Sequence, residues 1–234
     1  MGTQYLSYPR ETDPYWANVL LRQTFEGGVS TDYSTYNRTG GGTTPRATPV
    51  NTDAKYGTYC LENIGTDNAL QMTDATVTLA AEFTIECWAK FDVISGTQQI
   101  IGQYRRQAVG NKSVELFVNS SGQLRLELRN DFSSTLDVLT GNTVMTTGVW
   151  YHVAATRDAS SDIRLFVGGV VQSSTLNDTT SLFGDLARFT LTSSVGAGPA
   201  FSSKLNGKID DTRITAACRY TGTFTPPTAQ MPLS

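Results

Sequence analysis

A single histidine, His152, and a sparse supply of spaced carboxylates limit the chemistry this chain can perform. Acyl transfer needs a sharply presented nucleophile with a base in hydrogen-bond reach. No Gly-x-Ser-x-Gly turn occurs, so His152 has no serine to activate and reads as a partly buried residue bonded to backbone. Glycoside hydrolysis with retention needs two carboxylates about 5–5.5 Å apart, which positions i and i+2 or i+4 on one strand face supply. Glu11-x-Asp13 is the only Glu-x-Asp, and it lies beside Pro14 in a polar leader, outside any expected strand. Gly207-Lys208 runs on into Ile209, so there is no Gly-x4-Gly-Lys-Ser/Thr phosphate loop. Cys60, Cys87 and Cys218 are odd in number and irregularly spaced, which fits neither a zinc site nor a disulfide framework; they read as buried thiols. The expectation is a protein that is not an enzyme and requires no cofactor.

The elements that position these residues are strands. Phe83, Ile85, Cys87, Ala89 and Phe91 alternate with Thr84, Glu86, Trp88 and Lys90, the period-two signature of a strand with one face in a core. Comparable runs occur at 19–25, 59–62, 69–72, 98–104, 113–118, 124–129, 149–157, 163–172, 188–195 and 205–215. Asn119-Ser120-Ser121-Gly122 and Val167-Gly168-Gly169-Val170 fall where hairpins need residues tolerant of positive φ. About eleven or twelve short strands and no long helix follow from this reading. One sheet of that width would leave an apolar face wet, so the fold class is all-β, two antiparallel sheets packed as a sandwich.

Residues 1–14 read as an N-terminal arm, 15–234 as one sandwich domain, and 27–53, rich in Gly, Thr, Ser and Asn, as a long surface excursion. Pro226-Pro227 should end the ladder and send the terminus over the surface. The 234 residues carry 39% hydrophobic and 17% charged content, enough for one core. A net charge of −3 provides no field to hold nucleic acid. No apolar run reaches membrane-spanning length, and the leader lacks the basic and apolar regions of a signal peptide.

Three blocks carry a family resemblance: 83–90, Phe-Thr-Ile-Glu-Cys-Trp-Ala-Lys; 150–157, Trp-Tyr-His-Val-Ala-Ala-Thr-Arg; and 164–169, Arg-Leu-Phe-Val-Gly-Gly. Together they resemble the laminin-G-like sandwich of the concanavalin A-like lectin/glucanase superfamily. The closing stretches, 207–215 and 219–227, resemble the end of that domain in structural proteins of tailed phages. The resemblance implies a non-enzymatic virion component, either a capsid decoration subunit or a tail-fibre-like appendage, assembled in the host cytoplasm. Its partners would be other virion structural proteins and further copies of itself in a closed oligomer, a trimer being favoured. A lectin of a cellular organism and a glycoside hydrolase are the alternatives.

Carbohydrate recognition, the usual role of domains that look like this, needs aromatic faces beside polar groups. Trp88, Tyr104 and Trp150 are the candidates. Similar sandwiches sometimes hold calcium, which takes six to eight oxygens; Asp32 in the first long loop and Asp210 in 205–215 are the candidate ligands.

Overall fold

A computed structural model describes residues 12–37, 40–41, 47–66, 69–72, 79, 81–103, 113–129, 135–182, 189–195 and 201–234. In the first half the strands are β1 (Val19–Gln23), β2 (Gly40–Gly41), β3 (Thr48–Val50), β4 (Cys60–Ile64), β5 (Leu70–Met72), β6 (Phe83–Phe91), β7 (Gln98–Gln103) and β8 (Ser113–Val118). The second half adds β9 (Gln123–Arg129), β10 (Thr135–Val144), β11 (Trp150–Arg157), β12 (Asp162–Val167) and β13 (Val170–Asn177). Last come β14 (Phe189–Leu191), β15 (Ser193–Val195), β16 (Phe201–Lys204) and β17 (Asn206–Thr215).

Two antiparallel sheets result. Sheet one runs β13-β12-β11-β6-β17-β4-β3 with β1 added to β17, and sheet two runs β10-β9-β8-β7-β14-β5-β2. Alternation dictates what lies between them. Phe83, Ile85, Cys87, Ala89 and Phe91 of β6 are all fully buried in one cluster with Leu116, Leu124, Leu126 and Leu128 of sheet two. Burying a side chain of this size contributes about 1.5–3 kcal/mol relative to exposure, so this layer drives the fold.

The hairpin between β12 and β13 is a two-residue turn in which Gly168 has φ 59° and Gly169 φ 77°. That double positive φ matches the right-handed twist of the flanking strands and is strained for L-residues. A Cβ on Gly169 would also sit 2.1 Å from the Phe224 carbonyl oxygen. Gly169→Ala should therefore lower stability by at least about 1–2 kcal/mol, the left-handed cost alone, read as a drop in thermal midpoint.

Residues 216–234 have no regular secondary structure and run as a strap over the outer face of sheet one. Phe224 N donates to Gly169 O at 2.9 Å, Thr156 Oγ1 to Tyr220 O at 3.0 Å, and Tyr56 Oη to Pro227 O at 2.5 Å. The Pro226-Pro227 expectation of a terminus leaving the ladder thus holds. Among its described residues the 27–53 excursion carries little regular structure: the short β2, β3 paired with β4, and a bridge from Asp32 to Gln23. Asp13, which the sequence assigns to the arm, is buried within the folded body, and its amide donates to Ser234 O at 3.2 Å. Glu11 lies outside the described residues. No helix among the described residues is long and apolar enough to cross a membrane, which leaves membrane-spanning strands unaddressed.

Candidate functional site

The outward positions of β6, β11 and β17 form three cross-strand rows. Trp150, Lys90 and Lys208 are register partners in the first, His152, Trp88 and Asp210 in the second, and Ala154, Glu86 and Arg213 in the third. A register shift between Asp210 and Arg213, with Asp211 at φ 51°, lets Asp211 join the same face, where its Oδ2 accepts the strap amide of Met231 at 2.9 Å.

The third row is a buried charge network. Arg213 reaches Glu86 Oε1 and Asp13 Oδ2, each at 2.8 Å, and Arg219 holds both Asp13 oxygens at 2.9 and 2.7 Å. Burial pushes the Glu86 carboxyl up, but Arg213, then His152 and Arg219, outweigh it and hold the group well below the ordinary carboxylate range. Burial likewise opposes the charge of Asp13, and the Arg219 hydrogen bonds, the Tyr15 amide and Arg213 reverse the effect. Tyr220 Oη donates to Glu86 Oε2 at 2.9 Å, and burial and the Glu86 charge push the hydroxyl well above its ordinary range, which fixes it as a donor. Beside it, Arg22 is fully buried, paired with Asp211, and donates to the Met231 carbonyl at 2.6 Å. These groups fasten the strap to the sheet.

His152 is fully buried and is not bonded to backbone as its sequence context suggests. Its Nε2 lies 3.2 Å from Glu86 Oε2, and its ring meets Trp88 and Phe224 edge-on at 5.4 and 5.6 Å. No serine is bonded to it among the described residues, so its place is in the strap's aromatic anchorage.

Trp88 and Trp150 share the outer face, as alternation predicts, on diagonal positions of adjacent strands. Their exposures differ. Trp88 is 8% exposed beneath residues 55–56: Lys55 Nζ stands 4.0 Å above its ring and Tyr56 meets it edge-on at 5.8 Å. Trp150 is half-buried beside Lys90. The indole Nε1 of Trp88 and that of Trp150 are buried without an acceptor among the described residues, a state that costs about 1–3 kcal/mol per donor unless something else supplies the oxygen. Tyr104 lies outside the described residues.

The calcium candidates are occupied otherwise. Asp210 Oδ2 accepts the Lys55 and Tyr56 amides at 2.9 and 3.0 Å, and its Oδ1 accepts the Asp211 amide at 2.7 Å. Asp32 Oδ1 accepts the Arg22 and Ser34 amides at 3.0 and 2.9 Å. Lone pairs aimed at N–H groups are not offered to a cation, and among the described residues no three His, Cys, Asp or Glu side chains converge. Asp32 and Asp210 therefore do not fit a calcium site; they pin loops to β1 and β17. Asp211 pairs with Arg22.

Sheet two holds an arrangement that spacing along one strand does not reveal. Glu115 of β8 lies directly opposite Glu127 of β9, both outward and both buried, with Arg125 Nη2 2.8 Å from Glu127 Oε1. Directly opposed residues have Cβ atoms about 4.5–5.5 Å apart. Cross-strand register, absent from any single-strand motif, creates this pair.

Cys60 and Cys87 are buried and Cys218 is half-buried, all three as free thiols. Burial pushes the Cys60 thiol up to about 12, so it is inert to oxidation by thiolate chemistry.

Two twisted antiparallel sheets with a strand-borne aromatic face define a lectin-type sandwich. The family described as "Concanavalin A-like lectin/glucanases superfamily" matches residues 64–219, and the chain belongs to it. Domain 4 of AbnA, an extracellular arabinanase from Geobacillus stearothermophilus solved with arabinotriose, superposes with a TM-score of 0.64 at 20% identity, over 86% of this chain and 93% of that one. The CBM40 module of the Ruminococcus gnavus IT-sialidase, solved with α2,3-sialyllactose, gives 0.51 at 17% identity over 60% and 78%. A botulinum neurotoxin type C structure, whose cell entry depends on two ganglioside molecules, gives 0.60 at 14% identity over 88% of this chain and 49% of that one. These likenesses show the fold. No curated protein sequence matches significantly.

Proposed function

We propose that the chain is a non-enzymatic, carbohydrate-binding adhesion module whose contact is the Trp150 end of the outer face of sheet one. The observation that carries this reading is Trp150, a half-buried indole beside Lys90 on an outward strand position. A flat apolar ring next to polar and charged groups is what a sugar's CH face and hydroxyls require. Three structural neighbours, two solved with arabinotriose or sialyllactose and one whose cell entry depends on gangliosides, support it. Trp150→Ala should weaken binding at least tenfold, about 1.4 kcal/mol, for whichever glycan an array identifies, with the thermal midpoint little changed.

The same proposal places the module on a phage particle, as capsid decoration or tail-fibre-like appendage, with other virion proteins and copies of itself as partners. The closing residues 207–227 support that part. Copurification with virions at fixed stoichiometry tests it; glycan affinity without particle association points to a lectin of a cellular organism. Glu115 opposite Glu127 favours a second reading, a glycoside hydrolase. Release of reducing ends from a polysaccharide would replace the first reading with the second.

A further inference from the structure

Residues 51–59, between β3 and β4, lie over Trp88 without belonging to either sheet. Their attachments are side chains that reach in from outside, together with the Tyr56 hydroxyl, which donates outward to the strap carbonyl of Pro227 at 2.5 Å. Glu26 accepts the Thr58 amide at 3.0 Å and the Tyr59 amide at 3.2 Å, Asp210 accepts those of Lys55 and Tyr56, and Lys90 pairs with the exposed Asp53. The backbone takes positive φ at two points, Asp53 at 60° and Gly57 at 63°. A Cβ on Gly57 would fall 2.3 Å from Glu26 Oε1, so the segment is fitted closely onto its latch. Beneath it Trp88 is over nine-tenths buried, and its indole N–H finds no acceptor among the described residues.

A cover joined by a few side-chain bonds, with no strand ladder, opens more readily than the sheet it rests on. A buried donor left without an acceptor is a place where a ligand oxygen gains more than it would on the surface. We propose that residues 51–59 form a lid, latched by Glu26 and Asp210, which swings aside to let a neutral sugar ring stack on Trp88 in place of Lys55. A ring hydroxyl then accepts the Trp88 Nε1–H, and the contact extends from Trp150 across the diagonal to Trp88. This deepens the glycan reading and rests on it.

The lid is tested without any ligand. In the intact chain, amide hydrogen exchange at Lys55, Tyr56, Thr58 and Tyr59 should be at least tenfold faster than at buried amides of β6 and β17. In a Trp16→Phe/Trp150→Phe background, where Trp88 is the sole tryptophan, Glu26→Gln should raise acrylamide quenching of Trp88 several-fold while the circular dichroism stays unchanged. Exchange only through global unfolding, together with unaltered quenching, overturns the lid and leaves the Trp150 reading standing. With arabinotriose as probe, faster association to Glu26→Gln than to the parent supports gating, and equal rates overturn it. Fast lid exchange beside a blank glycan array overturns the glycan reading, and with it the ligand proposed for Trp88.

Discussion

Arg213→Ala should lower the unfolding free energy by about 3–5 kcal/mol, the cost of leaving a buried partner charge uncompensated. Arg213, 4% exposed, lies within 2.8 Å of both Glu86 and Asp13. Its removal leaves Glu86 with the Tyr220 hydroxyl at 2.9 Å, His152 at 3.2 Å and Arg219 at 3.8 Å, and leaves Asp13 with Arg219 and the Tyr15 amide. For a domain whose whole stability is typically about 5–15 kcal/mol, that is enough to bring it near the folding threshold. Urea denaturation read by fluorescence measures the loss. The pH dependence supplies a second mark. Glu86 and Asp13 both have carboxyls held below their ordinary range in the folded state, so their stabilisation is present above that range and fades as pH falls through it. The variant should unfold in acid at a higher pH than the parent, because the depressing charge is gone.

Asp210→Asn should invert its effect with pH. Burial pushes the Asp210 carboxyl from 3.8 up to about 7, against the Tyr56, Lys55 and Asp211 amides that favour the charge. A raised folded value means the folded state holds the proton more tightly. The group's contribution is therefore complete below about pH 4 and is lost as pH rises through about 7, an upper bound of about 4 kcal/mol at 1.36 kcal/mol per unit. Asparagine removes that ionisation but keeps only one of the two accepting oxygens, at a cost of about 1–1.5 kcal/mol for the lost bond. The variant should be less stable than the parent at pH 4 and below, and more stable by about 3 kcal/mol at pH 8. Parallel stability curves across that range would show that the carboxyl does not titrate there.

The strands with clean alternation were legible in the sequence, and for a physical reason. In β6 and β11 every second residue enters one core, so period two survives intact, and the boundaries of β6 and β8 match those expected. β10 was not legible. Its Thr-Leu-Asp-Val-Leu-Thr-Gly-Asn-Thr-Val is not among the expected strands, and at Gly141 the Gln172 side chain of β13 comes within 2.9 Å of where a Cβ would stand. Gln172 Oε1 then accepts the Asn142 and Thr143 amides, tying the edges of the two sheets together. The strap was half legible: Pro226-Pro227 ends the ladder, but nothing local says that residues 216–234 turn back over Glu86 and Arg213. Polar residues at alternate positions of β6 consequently look solvated when they are buried.

Within the candidate site, alternation placed Trp88 and Trp150 on one face. What covers Trp88 depends on residues 55–56, which lie some thirty positions away, so its depth could not be read from its own strand. Glu115 and Glu127 are joined by register, a property of two strands at once.

The hydrogen bond between the Asp13 amide and the Ser234 carbonyl holds the two limits of the 13–234 segment side by side. A folded segment whose limits touch is the geometry that insertion into a single surface loop and circular permutation both tolerate.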